Sequence, residues 1–507
     1  MQEQFRRKQL TELPSWTNLT KHAETFRLTT IKELKKNESR NELLKVSSQS
    51  ITIDFSHQRI NETTIELLLS LAHERQLKEK IDGLMRGDLV NQNEKRPALH
   101  TALRSFDKQP ILINGQDIIP DIYATRDKMR LIAHQIRTGQ WFGFSGKSIT
   151  DIVNVGIGGS DLGPRFCIKA LSEFTLPELN YHFVSDVDPN AFKQAVAKLN
   201  PETTLFIISS KSFTTQETLH NAKEALAWLG KPGEIDKHFI AVTANITAAK
   251  EFGINTILPI WDWVGGRYSL CSAINLITAI AIGFDEFTEL LRGAHDMDQH
   301  FKNSRFEKNL PVLLALIGIW NNNFLQIHNL LVLTYSQQLE FFVPYIQQLD
   351  MESNGKSIDN QGRFVNHATG PIIWGGLGNQ AQHSYYQLLC QGTHRLTADF
   401  IITRQFANHV INQISKTKQK ILTEGITEPL KHDGYIPGNI PVNNISMNTC
   451  SPFAIGSLIA LYEHKIYTQS VIWDINPFDQ PGVESAKCHS LNNLDTWTES
   501  GLTHTLT

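Results

Sequence analysis

Five short stretches of this 507-residue chain carry side chains suited to chemistry. Gly156-Ile-Gly-Gly-Ser-Asp-Leu-Gly163 stands between a β-rich run and a helical run. There, free backbone N–H groups and the positive helix end favour an anion, and glycines allow it to approach closely. Position six of a G-x-G-x-x-G fingerprint is Asp161, so the dinucleotide pattern is broken, although Asp186 after the next strand keeps a nicotinamide reading open. A glycine-rich turn with no ligand is the plainer alternative. Ser209-Ser-Lys-Ser-Phe-Thr-Thr-Gln-Glu217 also follows an apolar β run, and it offers hydroxyl donors and a lysine at an expected helix start. Such a loop can hold a sugar phosphate, or it can be a Ser/Thr N-cap beside a solvated lysine. Two such loops after successive strands converge at the carboxyl edge of one sheet, where open α/β sheets bind ligands.

In Trp261-Asp-Trp-Val-Gly-Gly-Arg-Tyr-Ser269, two glycines let the backbone carry Arg267 into a cleft. Arg267 could stabilise negative charge developing on oxygen, or pair with a carboxylate. Gln348-Leu-Asp-Met-Glu-Ser-Asn-Gly355 places Asp350 and Glu352 before a turn-forming Asn-Gly. A carboxylate there suits general-base work if burial raises its pKa, and is otherwise a solvated cap. Gly375-Gly-Leu-Gly-Asn-Gln-Ala-Gln-His383 puts a histidine near an expected helix start, where it could shuttle a proton or be one more core histidine among 19. His295-Asp-Met-Asp-Gln-His300 has metal-ligand types, but i and i+5 do not share a helix face, so no metal is predicted. Neither G-x-S-x-G nor G-x-x-x-x-G-K-[ST] occurs.

The elements that must position these groups show in the periodicity. Up to about Asp107 the pattern is helical, with Ile65, Leu67, Leu68, Leu69 and Leu71 at three and four spacing. From Lys147, short β-rich runs (Asp151 to Val155, Tyr181 to Val184, Thr204 to Ile208) alternate with helix formers, which predicts a doubly wound parallel sheet. Helices are expected from Phe287 to about Leu339, then a second β/α set through Gly370 to Phe400, closing near Ile475. Asn443 to Pro452 and the residues after His489 are weakly patterned. With 48 basic against 51 acidic side chains and a charge of −3, no excess exists to neutralise a nucleic-acid backbone. Cys167, Cys271, Cys390, Cys450 and Cys488 are scattered, and Met1 to Leu10 lacks a secretory pattern, which together predict a reducing cytoplasm. The most apolar stretch, Leu270 to Phe284, is shorter than the roughly 20 residues of a spanning helix and is read as a buried core helix.

Taken together, the motifs resemble the glucose-6-phosphate isomerase (phosphoglucose isomerase) family. The resemblance also includes the RPALHTALR run within Asn93 to Arg104, Pro452 to Asn476, and Phe478 to Lys487, in the family's order from about Phe55 to Lys487. ESNGK, GGRYS and SKSFTTQET are specific to that family. The resemblance implies two doubly wound sugar-isomerase (SIS) type α/β domains at 111–290 and 291–490. It also implies an N-terminal helical segment at 1–110 packed on the second domain, and a tail at 491–507. Gly159, Ser160, Ser210, Lys211, Ser212 and Thr215 would bind substrate and its phosphate. Glu352 would move a proton between C2 and C1 through a cis-enediol, and Arg267 would stabilise the enediolate. Gln348 and Gln480 would position substrate, His383 and Lys487 would assist ring opening, and Glu217 would orient the histidine. An obligate homodimer with composite sites, His383 crossing from the neighbouring subunit, and no cofactor are implied. The chain departs from the family at Gly376, Cys390, Ile440, Pro481, Ser485 and Ala486, which bears on affinity and interface strength. A sugar-phosphate sensor on the same fold is the rival from another class; it would lack the proton-transfer groups Glu352, His383 and Lys487, which are present here.

Overall fold

Five apolar runs between Asp151 and Pro259 form one parallel sheet, since strands covered on both faces need no polar alternation. Asp151–Val155, Thr204–Ser209 and Phe239–Thr243 are buried at every residue. The computed structural model describes residues 8–26, 28–428, 433–487 and 489. Across the sheet the order is Asn180–Val184, Asp151–Val155, Thr204–Ser209, Phe239–Thr243, Ile257–Pro259, every pair parallel. The chain steps outward from Asp151–Val155 to Asn180–Val184 and returns on the other side to Thr204–Ser209. That reversal opens a crevice above the carboxyl ends of the two central strands, the usual ligand position in such sheets.

A second sheet runs Lys45–Ser47, Ile51–Asp54, Val442–Met447, Thr397–Thr403, Asn329–Thr334, Ile372–Leu377. Its last four strands are parallel and its first two pair antiparallel. The expected α/β class with parallel-rich sheets is what the chain adopts, and three details differ from the sequence pattern. The amino-terminal part is helical at Pro14–Thr25 and Glu62–Glu74, but it also contributes the hairpin Lys45–Ser47/Ile51–Asp54. Ile51, Ile53 and Phe55 are buried at every second position, a strand signal too short to stand out among charged neighbours. Asn329–Thr334 begins well before Leu339 because it and the helix Leu310–Ile319 are both continuously apolar, so periodicity does not separate them. Val442–Met447, weakly patterned in sequence, lies inside the sheet. Its Asn443 donates to Asp399 Oδ1 (2.7 Å) and accepts from Gln58 Nε2 (2.8 Å), while Tyr462 donates to Asp399 Oδ2 (2.8 Å). Buried polar groups satisfied in this way hide a core strand from a hydropathy reading.

Helix Leu276–Ile282 is buried throughout, as the apolar run predicts. The longest helices, Phe284–Asn303 and Pro452–Trp473, cross where a Cβ on Gly293 would lie 1.8 Å from the Phe453 carbonyl oxygen and one on Gly456 would lie 1.9 Å from that of Leu290. Only glycine permits backbones to meet so closely. Glu463, His464 and Lys465 are buried on the second of these helices. Glu463 accepts from Arg104 (2.5 Å), and Asp298 accepts from both Arg104 (2.7 Å) and His464 (2.6 Å). Among the described residues no helix is long and apolar enough to cross a membrane. Cys488 and the tail at 491–507 lie outside the described residues.

His300 ends one helix and caps the next. Its Nε2 accepts the Leu310 N–H at 3.0 Å, and Nδ1 lies 3.1 Å from Ser304 Oγ. Burial, with His464 nearby, lowers its pKa from 6.5 to about 4. His57, half-buried beside Lys35, and His367, half-buried near Arg75, are lowered to about 4 as well, chiefly by desolvation. The fold therefore keeps these rings neutral at pH values where the unfolded chain protonates them, so between about pH 4 and 6.5 their contribution to stability rises with pH, while the buried Glu463 carboxyl, raised to about 7, acts in the opposite direction. On acidification through that window the thermal midpoint of the wild type should fall more, or rise less, than that of His300→Gln. The same pH dependence in both proteins would contradict the assignment of a neutral His300.

Candidate active site

Asn154 is a polar residue in the middle of the buried run Ile152 to Val155. Its Nδ2 donates to the Ser160 carbonyl (2.9 Å) and its Oδ1 accepts from Ser209 Oγ (3.1 Å), which joins the two anion-site loops at their roots. The sequence motifs do not include it; a polar residue inside an apolar run is the signal that marks it. Gly158–Ser160 forms one 3-10 turn, with Gly158 at φ +60°. A Cβ on Gly159 would lie 2.1 Å from the Gly266 carbonyl oxygen, and one on Gly158 would lie 3.0 Å from Gln348 Nε2. Absence of side chains thus brings the glycine loop, the Gly265-Gly266-Arg267 turn and Gln348 together.

Arg267 is buried and its guanidinium is fully engaged. Nε donates to Ser353 Oγ (2.7 Å), Nη1 to Glu352 Oε1 (2.9 Å) and Gln480 Oε1 (3.0 Å), and Nη2 to the carbonyls of Asp479 (3.0 Å) and Pro477. The other Glu352 oxygen accepts from Gln348 Nε2 at 2.9 Å. Gln348–Glu352 is a π-helical turn rather than the loop turn expected from Asn-Gly, and it continues helix Phe342–Gln347. Such wide turns recur at functional sites because they redirect side chains. This one separates the two candidate carboxylates. Asp350 is buried against Lys465 Nζ (2.8 Å) and Asn354 Nδ2 (3.0 Å), whereas the Glu352 side chain remains 23% exposed. Asp350 is a structural ion pair, and Glu352 is the carboxylate available for proton transfer.

Beside this cluster is a cleft of about 1210 Å³ whose lining includes Lys211, Ser212, Thr215, Glu217, Gln480 and Lys487. Thr215 precedes helix Gln216–Leu229, and its hydroxyl accepts from Ser210 Oγ (3.2 Å) instead of capping that helix. The positive end of a helix and several hydroxyls therefore face one space, an arrangement suited to a phosphate. Lys211 does not stand as a free cation. Its ammonium donates to the carbonyls of Asp262 (2.9 Å) and Val264 (3.0 Å), pinning the Arg267 loop to the hydroxyl loop; burial lowers its pKa, opposed by Asp262. Lys487 lies on the helical stretch 481–487, 3.7 Å from Glu484, with its side chain largely exposed. His383 sits exposed between Gly378–Ala381 and Tyr386–Gln391 and does not line this cleft. Glu217 lines it without a recorded bond to His383.

The remaining candidates are placed elsewhere. Asp161 is buried and bonded to Arg165 (2.8 Å), and Asp186 is exposed. His295 lies 3.6 Å from Asp107, and among the described residues no three metal-ligating side chains gather. Cys390 and Ile440 line a separate cavity of about 710 Å³, together with Arg59 and Arg395, and Gly376 lies in the strand Ile372–Leu377.

Residues 54–500 match the family described as phosphoglucose isomerase. The chain belongs to that family. It is 59% identical over 483 residues to a glucose-6-phosphate isomerase of Legionella pneumophila, covering 94% of this chain and 96% of that one. It is 43% identical to a glucose-6-phosphate isomerase of Methylococcus capsulatus, covering 94% and 93% of the two chains. A solved glucose-6-phosphate isomerase structure from Chlamydia trachomatis superposes with a TM-score of 0.90 at 28% identity, covering 97% of each chain. The expectation of an isomerase from the motif set is met, and the span from Phe55 to Lys487 falls within the matched region.

The close approach at Gly159 has a direct consequence. Gly159→Ala places a methyl against a carbonyl oxygen and should cost roughly 1–3 kcal/mol of stability. Urea unfolding should show an earlier midpoint with the slope unchanged, together with weaker sugar-phosphate binding. An unchanged midpoint and affinity would mean the two loops do not touch.

Proposed function

We propose that this isomerase interconverts D-glucose 6-phosphate and D-fructose 6-phosphate through a cis-enediol, a step of glycolysis and gluconeogenesis. The observation that carries the reading is the Glu352 carboxylate, held by Arg267 on one oxygen and Gln348 on the other, beside a hydroxyl-lined cleft. The Ser210, Ser212 and Thr215 hydroxyls and the start of helix Gln216–Leu229 bind the phosphate, and Gly159 and Ser160 border the sugar. Glu352 takes the proton from the carbon next to the carbonyl, and the electron pair moves onto the carbonyl oxygen as an enediolate. Arg267 offsets that charge in a water-poor setting where a fixed cation acts strongly. The Glu352 carboxyl then returns the proton to the former carbonyl carbon, while the hydroxyl on the first carbon gives up its O–H proton to become the new carbonyl and the enediolate oxygen takes up a proton to become the new hydroxyl. Electrons stay within the substrate throughout, so proton transfer alone completes the reaction.

Gln348 and Gln480 orient the open chain. Ring opening needs an acid and a base near the ring oxygen and the C1 hydroxyl, roles assigned to His383 and Lys487, with Glu217 orienting the histidine. His383 is exposed and off the cleft within one chain, which supports a homodimer whose histidine completes the partner's site.

Conversion of fructose 6-phosphate to glucose 6-phosphate in EDTA, read through a coupled dehydrogenase, is expected for the wild type. Glu352→Gln should lower kcat on the order of 10²–10⁴-fold. Sugar-phosphate binding without turnover by the wild type would favour the sensor. Composite sites add a second expectation. Glu352→Gln and His383→Ala homodimers, each inactive, should regain about a quarter of wild-type activity when subunits are exchanged, because half the dimers are hybrids with one intact site. No recovery after proven exchange would place the histidine in its own subunit's site.

A further inference from the structure

The ESNGK run ends on Lys356, a residue with no part in the chemistry outlined above. Its ammonium donates to the carbonyls of Asn476 (2.6 Å) and Asp479 (2.8 Å) and to Asp479 Oδ1 (2.9 Å). An ammonium has three protons, so all three are satisfied. The pair is well shielded, with side-chain exposures of 12% for Lys356 and 8% for Asp479.

What Lys356 holds is the stretch that faces the reacting groups. Residues 476–480 lie between helix Pro452–Trp473 and the helical stretch 481–487, in neither helix nor strand. Ladder hydrogen bonds therefore do not fix this segment. Side chains do: Asn93 donates to Asp479 Oδ2, Asn476 donates to Asn91 Oδ1 (2.9 Å), and Lys356 takes the three acceptors named above. The same segment supplies three of the five acceptors of Arg267, namely the Pro477 and Asp479 carbonyls and the Gln480 side chain. The Asp479 carbonyl is shared between the two cations. Lys356 lies four residues beyond Glu352, so one short piece of chain carries both the base and the clamp.

We propose that Lys356 is a positioning residue for the isomerisation, fixing the Asn476–Gln480 segment so that Arg267 and Gln480 stay in register with Glu352. This rests on the reaction proposed above. Without the ammonium, the Asp479 and Asn476 carbonyls lose their donor and the segment relaxes. Arg267 then has fewer fixed acceptors on the side away from Glu352, and its fork turns. The phosphate loops do not touch Lys356, so ground-state binding is spared while transition-state alignment suffers.

The test is the steady-state kinetics of Lys356→Met in the full-length protein, with the wild type assayed first. The expected result is a fall in kcat of about 10–100-fold, the cost typical of an ångström-scale misplacement, with KM within about threefold. Two further variants separate positioning from a general loss of stability. Tyr462→Phe removes one buried bond to Asp399 and should lower the thermal midpoint without changing kcat. Lys356→Met combined with Gln480→Ala should be about as slow as the slower single variant, because both act through one segment, whereas independent effects multiply. If Lys356→Met does not fold, Asp479→Asn, which removes the charge from one of the three acceptors, should show the same split with a smaller loss. Wild-type kcat in both clamp variants, or multiplicative losses in the double variant, would overturn the proposal. A wild type that does not turn over would remove the reaction itself, and the wild-type assay shows this before any variant is measured.

Discussion

The buried guanidinium of Arg267 is the constraint on which the rest of the site depends. A guanidinium has five N–H donors in a rigid plane, and burying it without acceptors for all of them would be prohibitive. Here the acceptors come from Ser353, Glu352, Gln480, Pro477 and Asp479. Satisfying the fork therefore draws together the π-helical turn after Phe342–Gln347 and the segment following Pro452–Trp473, parts of the chain far apart in sequence. Lysine could not replace it, since a single ammonium has no planar fork to span the two segments.

The scaffold serves that convergence. The first sheet reverses its order at Asp151–Val155 and so presents two loops at one edge, and Asn154 binds their roots. The second sheet and its helices deliver Glu352. Asp350, on the same turn, is drawn inward by Lys465, and this fixes the rotation of the turn and leaves Glu352 on Arg267 with its side chain partly exposed. Buried ion pairs of this kind contribute little net stability compared with apolar packing, so their value here is geometric. The Gly293/Gly456 crossing acts in the same direction, holding Phe284–Asn303 and Pro452–Trp473 at backbone contact.

Much of this was legible from residue types alone. The glycine and hydroxyl loops, Arg267, Glu352 and the alternating strands of the first sheet were all visible, because local chemistry and β/α periodicity mark them. Gly159 and Gln348 were visible through the family resemblance. The hidden parts share a physical reason. Val442–Met447 carries asparagines whose polarity is cancelled only by partners far away in sequence, such as Gln58 and Asp399. The strand Ile51–Asp54 is too short for its alternation to register. Nothing local separates Asp350 from Glu352; the π turn and the distant Lys465 bury one in an ion pair and leave the other partly exposed. Likewise Lys211 and Lys356 are both cations near the cleft, and only tertiary contacts show that each is bound to carbonyls.

What Arg267 constrains is the carboxylate proposed as the base, so the most direct measurement follows the proton. Fructose 6-phosphate converted by the wild-type protein in deuterium oxide should yield glucose 6-phosphate carrying deuterium at C2, read by proton NMR. A proton carried by Glu352, as proposed, would exchange with solvent in a fraction of turnovers before its return, so deuterium should accumulate as the reaction cycles. Glucose 6-phosphate free of C2 deuterium after many turnovers would mean that hydrogen moves directly between the carbons, and that Glu352 is not the base.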